Sequence, residues 1–135
     1  MVKYVYDLGS IQAEQLQGFF VDWPNPPKPD THLKLLHGSS HVVLAVDEAN
    51  GRVVGFITAI SDGVLSAYIP LLEVLPEWKG RGIGQELTRR MLDELRHLYM
   101  IDLLCDTELQ SFYRRLGMLP ATGMMIRNYD RQSGE

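Results

Sequence analysis

Apolar residues recur along this chain in two periods, and the switches between those periods predict its elements. Val2–Tyr6 reads as a short strand. Ile11–Phe20 reads as a helix capped by Ser10, with Ile11, Gln15, Leu16 and Phe19 at mixed helical spacing. Pro24, Pro26, Pro27 and Pro29 then exclude both helix and central strand. Trp23–Pro29 is therefore expected to be a stiff loop that shapes a pocket, with a plain connector as the alternative. A second helix follows, capped by Asp30 and running through Leu36. His41–Asp47 and Arg52–Ser61 are apolar, β-branched runs, and Asn50-Gly51 between them signals a hairpin. Asp62-Gly63 is a second tight turn, leading into Val64–Val74. Pro70 interrupts that third strand and, lacking an N–H, marks a bulge or an edge.

The helix predicted over Gly82–Tyr99 carries Ile83, Leu87, Met91, Leu95 and Leu98 on one face, with charged residues on the rest. Met100–Cys105 reads as a strand, Glu108–Leu116 as a helix stopped by Gly117, and Gly123–Tyr129 as a last strand. The order β-α-α-β-β-β-α-β-α-β defines an α/β (α+β) chain, expected to fold as one domain over residues 1–135.

Charge and composition narrow the partners. A formal net charge of −4 argues against nucleic acid, which calls for a basic face, and permits a cationic or amine-bearing ligand. No apolar run approaches the roughly 20 residues of a membrane span, and Met1-Val2-Lys3-Tyr4 has no signal-peptide core. Cys105 is the only cysteine, so no internal disulfide is possible. These features predict a cytosolic protein without a membrane partner, monomeric or homodimeric. His32, His37, His41 and His97 show no metal-ligand spacing, so no metal site is expected and they read as helix-end or surface residues.

The chemistry concentrates in residues 71–84. An apolar strand runs into Lys79-Gly80-Arg81-Gly82-Ile83-Gly84, and that turn opens directly into the long helix. The first N–H groups of a helix have no partner within it and sit at the positive end of its dipole. Glycines leave them bare, so a phosphate can approach, and Lys79 and Arg81 add positive charge. A kinase-type P-loop is absent, and Leu87 stands where the dinucleotide fingerprint needs a third glycine.

This stretch resembles the acyl-coenzyme-A-binding motif of the GNAT N-acetyltransferase superfamily, Arg/Gln-x-x-Gly-x-Gly/Ala after an apolar-x-Val strand end. Gly82, Gly84 and Leu72-Glu73-Val74 match, and Lys79 stands where the family prefers Gln or Arg. Phe112-Tyr113-Arg114-Arg115-Leu116-Gly117-Met118 resembles a second family motif, with Met118 replacing its last aromatic. The resemblance implies a mixed, strongly twisted sheet with helices on both faces. It also implies a gap after Pro70 in which the pantetheine arm lies like an added strand.

By the same resemblance, coenzyme A would be held by Leu72, Val74, Lys79, Gly80, Arg81, Gly82, Ile83, Gly84 and Gln85. The Leu72 N–H would face the thioester carbonyl, and Tyr113 would assist the departing thiolate by hydrogen bonding or by proton donation. Glu73 is a candidate base, although strand alternation turns it away from the face of Leu72 and Val74 unless a bulge rotates it. Asp102 and Tyr68 are further candidates, and Tyr68 and Trp23 are expected to contact the acceptor. Asp106 sits where many relatives carry an asparagine. The implied activity is acetyl transfer from acetyl-coenzyme A to a primary amine of a small molecule or peptide, by direct attack in a ternary complex. A non-catalytic acyl-coenzyme-A sensor is the alternative.

Overall fold

The structure is a computed structural model that describes all 135 residues. Its sheet contains β1 (Val2–Val5), β2 (His41–Asp47), β3 (Val53–Ser61), β4 (Ser66–Tyr68), β5 (Leu72–Val74) and β6 (Met100–Asp102). The order is β1-β2-β3-β4-β6, with β5 also paired to β3. All pairs are antiparallel except β4 with β6, which are parallel and joined through the long helix. β2 and β3 are buried along nearly their whole length, which is why their sequences are continuous apolar runs without polar alternation. The Asn50-Gly51 hairpin forms, with Gly51 at φ 76°. The Asp62 turn forms as well, its carboxylate accepting from the N–H groups of Val64, Leu65 and Ser66.

Helices cover both faces of the sheet. α2 (Ile83–Leu95) packs over Gly55, where an added Cβ would lie 3.1 Å from Leu87 Cδ1 and 3.2 Å from Ile83 Cγ2. Phe56, the next residue, points to the opposite face and meets Phe19 and His32. That face is covered by a 3-10 turn (Ala13–Leu16), the segment after it, and α1 (Pro29–Gly38). α3 (Gln110–Arg114) is a short helix after β6.

Several sequence expectations need correction. The helix expected over Ile11–Phe20 is only the 3-10 turn, because Gly18 and Phe20 adopt φ 91° and 62°, outside helical space. Ser10 caps nothing. α1 begins at Pro29 rather than after Asp30, with Lys28 as the capping residue and Asp30 in the first turn. α2 ends at Leu95 and β6 at Asp102, both short of the expected Tyr99 and Cys105. No strand forms over Gly123–Tyr129. Met124, Met125 and Ile126 there are exposed, and the segment has no partner strand in the sheet.

His32 is the sharpest departure. It is 1% exposed, neither ring nitrogen has a hydrogen-bond partner, and it is enclosed by Phe19, Phe20 and Phe56. Burial lowers its pKa from 6.5 to about 4. The unfolded chain therefore takes up a proton near pH 6.5 that the folded chain refuses until about pH 4. Stability should be full above that window and fall by about 3 kcal/mol as pH drops through it. Urea midpoints at pH 7, 5 and 4 should show this decline, and His32→Leu should flatten it. An equal decline in both proteins would remove His32 as the cause.

Candidate active site

Pro70 splits the expected third strand into β4 and β5. β3 advances two residues between Ile60, paired with Tyr68, and Ile57, paired with Leu72, while the other strand spends three on Ile69, Pro70 and Leu71. That extra residue is a β-bulge, and it turns β5 away from β6. The last link between the two arms is the Ile69 N–H to the Asp102 carbonyl, at 2.9 Å. Beyond it, Leu103–Cys105 diverge from β5 and a cleft opens between them, about 1010 Å³ in volume.

The open edge of β5 faces this cleft. The Leu71 carbonyl accepts from Thr58 and the Leu75 N–H donates to Val54, so these groups point toward β3. Antiparallel alternation then turns the main-chain groups of Leu72 and Val74 to the unpaired side. Both residues line the cleft.

The glycine turn forms the next wall. Gly80 and Gly82 sit at φ 79° and 80°, and a Cβ on either would meet nothing within 4 Å. The first intrahelical bond of α2 runs from Glu86 N–H to the Gly82 carbonyl. The N–H groups of Gly80 through Gln85 have no main-chain partner, and Gly82, Ile83, Gly84 and Gln85 line the cleft. The α2 dipole adds positive potential at the same place. This turn suits a phosphate, which would occupy the space that a side chain on Gly82 would fill. Lys79 also lines the cleft, whereas the Arg81 guanidinium stacks 4.4 Å over the ring of Trp78 and is not part of the lining itself.

Tyr113 and Cys105 line the far side. Burial, with a smaller effect from Cys105, raises the Tyr113 phenol above its usual 10.0, so the hydroxyl stays protonated at neutral pH. Phe112 packs edge-on against Tyr113 at 4.9 Å and fixes its ring. Cys105 is half-buried at the cleft.

Glu73 obeys strand alternation. Val74 points to the α2 face, where its Cγ2 lies 3.7 Å from a Cβ built on Gly84, while Glu73 points the other way. There its Oε1 accepts a 2.9 Å hydrogen bond from the Phe20 N–H, at the foot of Val21-Asp22-Trp23. Burial raises its pKa, and the Phe20 hydrogen bond and the Lys79 charge pull it back. No rotation by the bulge is needed, because this face also borders the cleft.

Other expected site residues lie apart. Tyr68 and Asp102 line a separate shallow depression with Ile60 and Met100 on the outer side of β4 and β6. Trp23 does reach the cleft, packed at 4.9 Å on Phe20, but Pro24–Pro29 do not line it. The prolines instead lead the chain from that wall to the first turn of α1. Residues missed at the sequence level include Val21, Leu103 and Arg127, all in the cleft wall. The glycine at position 18, inside an otherwise helical pattern, was the available signal that the Val21 wall is a loop.

With this geometry, the chain matches the family model for the acetyltransferase (GNAT) family over residues 8–118. A crystal structure of an acetyltransferase candidate from Deinococcus radiodurans R1 shares 46% identity with it, at a TM-score of 0.94. That alignment covers 98% of this chain and 92% of the other. A GNAT family acetyltransferase structure from Streptococcus pneumoniae TIGR4 is 27% identical, with a TM-score of 0.76, covering 95% and 98% of the two chains. Among curated relatives, the uncharacterized N-acetyltransferase ycf52 of Porphyra purpurea is 28% identical over 102 residues, 73% of this chain and 59% of that protein. The chloroplastic serotonin N-acetyltransferase 2 of Oryza sativa subsp. japonica is 32% identical over 97 residues, 68% of this chain and 48% of that protein. The chain thus spans about half to three-fifths of the length of these curated relatives.

Proposed function

This chain belongs to the GNAT acetyltransferase family, and from that premise we propose that it transfers an acetyl group from acetyl-coenzyme A to a primary amine within a ternary complex. The observation that carries this reading is a convergence in one cleft. The unpartnered N–H groups at the start of α2, the open edge of β5 and the Tyr113 ring all border it. Residues 80–85 would bind the pyrophosphate, and Leu72 and Val74 would bond the pantetheine amides as a neighbouring strand does.

Acetyl-coenzyme A supplies an activated thioester. The Leu72 N–H is a donor fixed in place before the reaction, suited to charge growing on the thioester oxygen. Glu73 would take the amine proton, directly or through water, and its raised pKa brings it nearer the working range of a base. Tyr113 would donate a hydrogen bond to the departing sulfur. Its raised pKa favours that role over complete proton transfer. Asp22 and Glu73 make this side of the cleft acidic, which suits an approaching cationic amine. Direct attack requires both substrates to be bound together. Initial-rate patterns with a working acceptor should therefore intersect, whereas parallel lines would overturn the ternary mechanism.

Trp23, beside Asp22 in the same wall, would contact the acceptor rather than acetyl-coenzyme A. Trp23→Ala should raise the Michaelis constant for the acceptor about tenfold and leave that for acetyl-coenzyme A unchanged. A large fall in melting temperature with an unaltered acceptor constant would make this wall scaffold only.

A further inference from the structure

Phe20 holds a conformation that aromatic residues avoid. Its φ of 62° lies in the left-handed region, between Gly18 at 91° and Asp22 at 68°. Such strain persists only where the surroundings enforce it. Here the ring enforces it. Phe20 is 3% exposed, with ring centroids 4.9 Å from His32, 4.9 Å from Trp23 and 6.0 Å from Phe56.

The strained turn has one polar consequence. Had the helix predicted over Ile11–Phe20 formed, the Phe20 N–H would have been spent on the carbonyl four residues back. Instead it donates to Glu73 Oε1 at 2.9 Å. Glu73 makes no other hydrogen bond to the protein, so Oε2 is left unpartnered at the cleft. Without the Phe20 donor, a half-buried carboxylate would have no protein partner at all, a costly arrangement.

We propose that Phe20, through its main-chain N–H, is the positioning residue that orients Glu73 and keeps its carboxylate available as the base. This rests on the reading of Glu73 as the group that takes the amine proton. After burial itself, Phe20 is the group that acts on Glu73 most strongly. Lys79, on the turn after β5, acts through space without touching the carboxylate. His32 of α1 is neutral above about pH 4 and packs on the Phe20 ring. Asp22, Tyr113 and Arg127 share the cleft without hydrogen-bonding Glu73.

Two measurements test the link. In the unaltered protein, the amide proton of Phe20 should titrate in NMR with the same midpoint as the Glu73 side-chain carboxyl carbon. A Phe20 amide that ignores that titration overturns the proposal. Replacing Phe20 by phenyllactate in the full chain deletes only the N–H and keeps the ring. The Glu73 carboxyl should then titrate at higher pH. The acidic limb of kcat/KM should follow it to higher pH. An unmoved carboxyl titration also overturns it. Glu73→Gln distinguishes the underlying reading. If that variant keeps full turnover across pH while the NMR shifts hold, Glu73 is not the base, but Phe20 still governs its ionisation.

Discussion

Gly82→Val should lose acetyl-coenzyme A affinity by about a hundredfold or more, while the far-ultraviolet circular dichroism stays that of the parent. Two effects act together. At φ 80° a β-branched residue is strained, so the turn shifts and the N–H groups of residues 82–85 lose their common aim. The new side chain also enters the open space at the start of α2, where the pyrophosphate is expected. Losing two charge-assisted hydrogen bonds is enough for a change of that size. Gly84→Ala is the matched control. Its φ is ordinary, and the added methyl would sit 3.7 Å from Val74 Cγ2 and 3.9 Å from Phe112 Cζ, normal contact distances. It should bind within a few-fold of the parent. Calorimetry giving unchanged affinity for Gly82→Val would take the phosphate site away from this turn.

Tyr113→Phe should lower turnover by up to about 10²–10⁴-fold, the span of general acid assistance, with little change in the Michaelis constant for acetyl-coenzyme A. The ring remains to pack on Phe112, so only the hydroxyl is removed. The phenol is already raised above 10.0 by burial, so no basic limb from Tyr113 should appear between pH 6 and 9. Equal turnover in variant and parent across that range would leave Tyr113 as a packing residue.

The glycine-turn side of the cleft was legible in the sequence because its determinants are local. Glycines at 80 and 82, a proline at 70 and an apolar stripe from Ile83 each act within a few residues of themselves. The opposite wall, at Phe20–Trp23, was not. Whether Ile11–Phe20 forms a helix depends on what Phe20 gains elsewhere, in an aromatic cluster with His32 and a hydrogen bond to Glu73, 53 positions away. Helical spacing in the segment could not register either contact, and tertiary packing overrode it. The same limit hid His32, whose polarity suggested a surface while three phenylalanines enclosed it. The expected final strand over Gly123–Tyr129 had suitable residues but no partner in the sheet. Strand propensity describes a fit to neighbours, and here the neighbours were lacking.

Thiol release from acetyl-coenzyme A, coupled to mass analysis of the acceptor, tests the central claim most directly. The parent protein should be screened against amines, polyamines, aminoglycosides, amino acids and peptides, with Gly82→Val and Tyr113→Phe alongside. The account predicts thiol release in step with an acceptor heavier by one acetyl group, abolished by the first variant and slowed by the second. Tight binding of acetyl-coenzyme A with no release above the uncatalysed rate, for every class of amine, would contradict it and leave a binding module in its place.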